Sequence, residues 1–132
     1  MCIRDSCPDP LHQMAITHYI NTSLDDGSLV KYIAHTKREY ENAAKITLKA
    51  IDENLGMRRL IPRGGLYTVM DVGMDADKFV PDVLKNTGVL FIPGGGFGQT
   101  LKNAVRISYG PLVNDTDKIV EGMERVSKYL NS

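Results

Sequence analysis

The chain has 132 residues, 42% hydrophobic and 24% charged, with sixteen basic residues balancing sixteen acidic ones. That length suits one domain, the composition argues against disorder, and the balance leaves no basic field for nucleic acid or an anionic membrane. No apolar run approaches the roughly 20 residues that span a bilayer and the N-terminus lacks the apolar core of a signal peptide, so the expectation is a soluble, cytoplasmic protein without nucleic-acid or membrane partners.

In chain order, "MCIRDS" shows no periodicity, and residues 1–7 read as a leader unrelated to the fold that follows. Cys2, Cys7, His12 and His18 spell C-x4-C-x4-H-x5-H. Zinc sites place a loop between their ligand pairs, whereas these histidines fall within a helical pattern. Two free thiols and no metal is the reading kept. Pro10 can open a helix because its missing N–H costs nothing in the first turn. Leu11, Met14, Ala15, His18 and Tyr19 then follow helical spacing up to "DDG" at 25–27. Ser28 is placed to cap a second helix. Its stripe is Val30, Ile33, Lys37, Tyr40, Ala44, Leu48, Ile51 and Leu55, and Gly56 is placed to end it. A helix of about 28 residues, about 40 Å long, reads as a strut that packs on more than one partner.

The second half changes character. "MRRLIP" and "LYTVMDV" read as strands joined at Arg63-Gly64-Gly65. Asp77 to Thr87 reads as a helix with Pro81 in its first turn and Gly88 as its stop. "VLFIP" and "AVRISY" read as strands either side of "GGGFG". Asn114 is placed to cap a last helix, buried along Ile119, Met123, Val126 and Leu130. The order α-α-β-β-α-β-β-α argues an α+β fold, a small, mostly antiparallel sheet covered by helices.

One residue stands out. Along "AVRISY", Val105, Ile107 and Tyr109 share one face, and Ala104, Arg106 and Ser108 the other. The charge of Arg106 therefore avoids the apolar face, and its small neighbours leave a slot beside it. A guanidinium is a planar fork of donors that matches a carboxylate through two bonds. A solvated sheet face is the commoner meaning of such alternation, and both meanings stay open at this level. The glycine cluster satisfies neither G-x-x-x-x-G-K-[ST] nor a dinucleotide fingerprint.

Three segments, "PRGGLYTVMDV", "FVPDVLKNTGVLFIPGGGFG" and "AVRISYG", are in their order and spacing similar to the C-terminal small domain of class I/II aminotransferases, fold-type I enzymes that use pyridoxal phosphate. The similarity covers residues 8–132. It implies that Arg106 holds the substrate α-carboxylate. It implies that Pro93, Gly94, Phe97 and Gly98 shape the loop leading to it, and that Gly64, Gly65 and Tyr67 form the turn near the active-site entrance. It further implies amino acid and 2-oxo acid substrates, pyridoxal phosphate held mainly by a large domain missing here, and a homodimeric parent. None of the nine lysines has the context of a cofactor-bearing lysine, so the resemblance implies an inactive fragment that contributes no catalytic residue of its own. Another fold-type I enzyme (lyase, decarboxylase or synthase) and a stand-alone carboxylate-binding α+β module are the alternatives.

Overall fold

The computed structural model describes residues 9–132; the leader expected over 1–7, with Cys2 and Cys7, lies outside them. The chain divides into two compact units at Lys37/Arg38.

The first unit holds α1 (Pro10–Asp25) and the beginning of α2 (Ser28–Asn54). Asp9 caps α1 by accepting from the Leu11 N–H at 2.9 Å, and Pro10 occupies the first turn as expected. The turn into α2 is made by Asp26, whose Oδ1 accepts from the Ser28 N–H at 2.8 Å. Ser28 is thus the first helical residue rather than the cap. Leu11, Met14, Tyr19, Val30 and Ile33 are all exposed.

In the second unit α2 ends where Gly56 takes φ +60° and donates to the Ile51 carbonyl. Its buried face is Ala43, Thr47, Ala50 and Ile51. The expected stripe through Ala44 and Leu48 is rotated by about one residue. Small alanines permit close approach, and Thr47 meets its burial cost locally by donating to the Ala43 carbonyl at 2.8 Å.

The sheet has three antiparallel strands in the order β1 (Tyr67–Asp71), β3 (Ala104–Ser108), β2 (Ile92–Pro93). Two expected strands shrink. "MRRLIP" contributes a single bridge, Arg59 to Met70, flanked by the bonds Leu60 N–H to Val69 O and Asp71 N–H to Arg58 O. Pro62 has no N–H to continue the ladder. "VLFIP" pairs only through its last two residues, Ile92 with Arg106 and Pro93 with Val105.

One sheet face carries Thr68, Met70, Val105 and Ile107, all buried. α3 (Ala76–Thr87), α4 (Asp117–Leu130) and the C-terminal part of α2 contribute Phe79, Val83, Met123, Val126 and Ile51 to the same core. Phe79 stacks on Phe91 at 6.3 Å. The Ser127 hydroxyl fastens α4 to α2 at the Asn54 carbonyl, 2.6 Å away. Ile119, Met123 and Val126 face inward as expected, but Leu130 is 41% exposed. α4 follows Thr116 without a side-chain cap, so Asn114 lies in the preceding turn and does not cap it. Pro81 sits beyond the first turn of α3, where it removes one helical hydrogen bond. Gly88 ends α3 at φ +74° as expected.

Asp75 caps α3 by accepting from the Asp77 N–H at 3.0 Å, with Lys102 at 3.4 Å from its other oxygen. These contacts, the backbone bond first, hold its carboxyl below the usual range. A lowered folded-state value means stabilisation that is present above the unfolded pKa and lost as pH falls through the folded one. Thermal melts should therefore show the wild type losing stability below about pH 4 more steeply than Asp75→Ala. Asp75→Ala should melt lower at neutral pH because the cap is gone. Parallel acid profiles for the two proteins would refute this.

Candidate functional site: an arginine against two aromatic rings

β3 is the middle strand, so Arg106 has a neighbour on each side: Val69 opposite it on β1 and Ile92 opposite it on β2. Neither carries a charge. Alternation points its side chain away from the core face, where Val105 and Ile107 are 0% and 5% exposed. That much follows the expected pattern. The slot is built differently from the expectation. Ala104 is buried and Ser108 exposed, but the walls are aromatic. The guanidinium carbon lies 4.9 Å from the centroid of the Tyr67 ring and 4.7 Å from that of Phe97. Both rings face it, an arrangement in which the negative ring faces attract the cation.

Local structure explains how the rings arrive there. Tyr67 pairs with Ser108, one same-face step along the ladder from Arg106, so its ring reaches the guanidinium diagonally. The turn before it is strapped down: the Tyr109 hydroxyl donates to the Gly65 carbonyl at 3.1 Å, and the Tyr109 and Gly110 N–H groups both donate to the Leu66 carbonyl. Tyr109 is 1% exposed, and burial pushes its phenol pKa up. Phe97 ends a short 3-10 turn, Gly94–Phe97, that leaves β2 directly after Pro93. Gly98, at φ +146°, then redirects the chain.

The electrostatics of Arg106 are unusual for a half-buried arginine. Lys45, Lys49, Arg59, Lys102, Lys118 and Arg125 each pair with a carboxylate, and Arg106 has no such pair among the described residues. Its Nε is buried and has no hydrogen-bond partner among the described residues. A buried polar nitrogen without a partner costs free energy. A cavity of about 230 Å³ opens on the same sheet face and shares Val69 and Ala104 with this surface.

Comparison with known proteins bears on what the site belongs to. No family model matches the chain. It is 32% identical over 103 residues to an aspartate aminotransferase of Pyrococcus horikoshii, covering 76% of this chain and 26% of that protein. It is 34% identical over 94 residues to the (5-formylfuran-3-yl)methyl phosphate transaminase of Methanocaldococcus jannaschii, covering 71% of this chain and 24% of that one. The crystal structure of an aromatic aminotransferase from Pyrococcus horikoshii superposes with a TM-score of 0.74 at 29% identity, over 83% of this chain and 29% of the other. The chain belongs with these aminotransferases. It spans about a quarter of the length of the curated relatives it matches.

In this chain the residues singled out from sequence fall into two groups. Arg106, Tyr67 and Phe97 come together directly. Gly64, Gly65, Pro93, Gly94 and Gly98 build the turns that carry the two rings. The sequence reading missed the strap from Tyr109 to Gly65, which sets the height of Tyr67. A signal existed, since Tyr109 continues the buried face of β3 and a buried tyrosine hydroxyl needs a partner. It also missed that the two aromatics meet on one cation, because 30 residues separate them in sequence.

Proposed function

We propose that this chain is the small-domain part of a pyridoxal-phosphate-dependent aminotransferase, and that Arg106 binds the α-carboxylate of its amino acid and 2-oxo acid substrates. The observation that carries the proposal is a half-buried arginine with two ring faces against it, its Nε without a partner, and no ion pair to a carboxylate among the described residues. An arginine buried for purely structural reasons is usually paired within the protein, and a fully solvated one would not have a buried Nε. In the parent, Arg106 breaks no bond. It fixes the carboxylate, and so sets the direction in which the Cα–H bond points, which is an orientation effect.

When bound, pyridoxal phosphate supplies the electron sink for this chemistry. On this reading its site, with the cofactor-bearing lysine, lies outside the described residues. Lys102, the nearest lysine to Arg106 in sequence, is 58% exposed and paired with Asp75. The proposal therefore assigns the cofactor and its lysine to a large domain outside this sequence, and the isolated chain has no transaminase activity.

Calorimetry and activity assays on the isolated chain test the reading together. The expected result is weak binding of 2-oxo and amino acids, lost in Arg106→Ala, with no turnover when pyridoxal phosphate is added. Tight carboxylate binding that needs nothing else would instead favour a free-standing module. Turnover by the isolated chain would refute the assignment of the lysine elsewhere.

A further inference from the structure

The connection from Ile61 to Leu66 carries the chain into β1, and it makes no hydrogen bond within itself: among the described residues none of its N–H groups has an acceptor. The carbonyls that do accept are those of Gly65 and Leu66, and one short segment after β3 takes both. The Tyr109 hydroxyl donates to the Gly65 carbonyl at 3.1 Å, and the Tyr109 and Gly110 N–H groups donate to the Leu66 carbonyl at 3.1 and 3.2 Å. The two holds are not equivalent. Leu66 is bonded twice and packed, since a Cβ added to Gly110 would lie 3.3 Å from its Cβ. Gly65 has φ +94° and nothing within 4 Å of the place a Cβ would take. With neither side chain nor packing to restrict it, the peptide joining Gly65 to Leu66 depends on the Tyr109 hydroxyl. We propose that Tyr109 is a positioning residue of the Arg106 site, its hydroxyl fixing the Gly65–Leu66 peptide and through it the Tyr67 ring against the guanidinium.

The physical basis is a rigid post acting on a free joint. Tyr109 is 1% exposed and packs with Ala43 of α2 and Ile119 of α4, so its own position is set by two helices. Tyr67 is the first residue of β1, two residues beyond Gly65, and pairs with Ser108 at the end of the ladder. Strand ends open more readily than strand middles, and a glycine joint just upstream leaves this end with little else to hold it. Once the peptide can rotate, the Tyr67 ring is no longer kept 4.9 Å from the guanidinium carbon, and Phe97 remains as the one ring against it. A looser guanidinium must give up more freedom when it takes a ligand, so affinity falls although no contact with the ligand has been removed. This last step rests on the carboxylate reading above; the effect on the ring does not.

The test compares Tyr109→Phe, which keeps the buried ring and drops only the hydroxyl, with Ile119→Val, which trims the same cluster and leaves the hydroxyl bond alone. NMR of ¹³C-labelled aromatic and ¹⁵N-labelled arginine side chains, without added anion, should show the Tyr67 and Arg106 signals of Tyr109→Phe displaced and those of Ile119→Val at their wild-type positions, while chemical denaturation finds both variants only modestly destabilised. Acetate should then bind Tyr109→Phe about two- to tenfold more weakly than wild type, the equilibrium worth of one net hydrogen bond, and bind Ile119→Val as it binds wild type. Should Tyr109→Phe fail to fold, Gly110→Ala decides: its methyl presses on Leu66 with the hydroxyl intact and should displace the same two sets of signals. Wild-type Tyr67 and Arg106 signals in the variant that folds would overturn the proposal, and so would equal displacement in Ile119→Val. A wild type that does not bind acetate would overturn the carboxylate reading instead and leave the positioning role standing on the anion-free signals.

Discussion

Replacing Arg106 by alanine should lower kcat/KM for transamination by tens- to thousands-fold in an aminotransferase carrying this segment. The estimate follows from the cost of leaving one member of a desolvated charge pair without its partner, about 2–5 kcal/mol, converted at 1.4 kcal/mol per tenfold. Fold stability should change little by comparison, because the side chain points away from the core and its local contacts are the two ring faces, each worth about 0.5–2 kcal/mol. The informative partner variant is Arg106→Lys. Lysine restores the charge but has neither the planar fork nor the flat surface that two rings can hold. It should recover only part of the loss, and the recovered part should not depend on Tyr67 and Phe97. Steady-state kinetics on the three proteins reads this directly. Near-normal kcat/KM in Arg106→Ala would end the assignment of the carboxylate to this residue.

Why the arginine was legible and its setting was not is a matter of range. The alternation of β3 assigns Arg106 to a face using only its own five residues, and the register with Val69 and Ile92 leaves that assignment intact. Helix ends were legible for the same reason: Pro10, Gly56 and Gly88 act through their own backbone geometry. The errors occur where a second segment decides. Whether "MRRLIP" is a strand depends on how many residues of β1 it meets, and it meets β1 at one bridge. The face that α2 buries depends on what lies against it, so Ala43 and Thr47 displaced the larger Leu48 from the inward position. Local propensity for a cap at Asn114 was overridden by a turn that delays α4 to Asp117. The walls of the slot belong to this second class. Small residues flanking Arg106 along the strand suggested empty space, but a diagonal cross-strand tyrosine and a loop phenylalanine occupy the positions that matter.

The three consecutive glycines are the place where this distinction between local and tertiary causes gives the sharpest expected result: Gly94→Ala should be strongly destabilising while Gly95→Ala and Gly96→Ala are tolerated. None of the three has positive φ, so backbone freedom does not separate them. Sterics does. A Cβ on Gly94 would lie 2.6 Å from the Ala104 carbonyl oxygen and closer still to that of Leu101, whereas Gly95 and Gly96 have nothing within 4 Å of the same added atom. Both obstacles at Gly94 are backbone and cannot rotate aside. Relief requires moving the start of β3 or the turn that carries Phe97, and overpacking of this kind costs typically about 1–3 kcal/mol and at times more. At the other two positions the change should fall within about 0.5 kcal/mol. Chemical denaturation of the three variants measures the difference. The functional consequence is also specific. A turn displaced at Gly94 carries the Phe97 ring off the guanidinium, so Gly94→Ala should weaken anion binding at Arg106 even under conditions where the protein remains folded. If Gly94→Ala were as stable as Gly95→Ala and bound acetate equally well, the close approach of this loop to the end of β3, and with it the placement of Phe97 over Arg106, would be wrong.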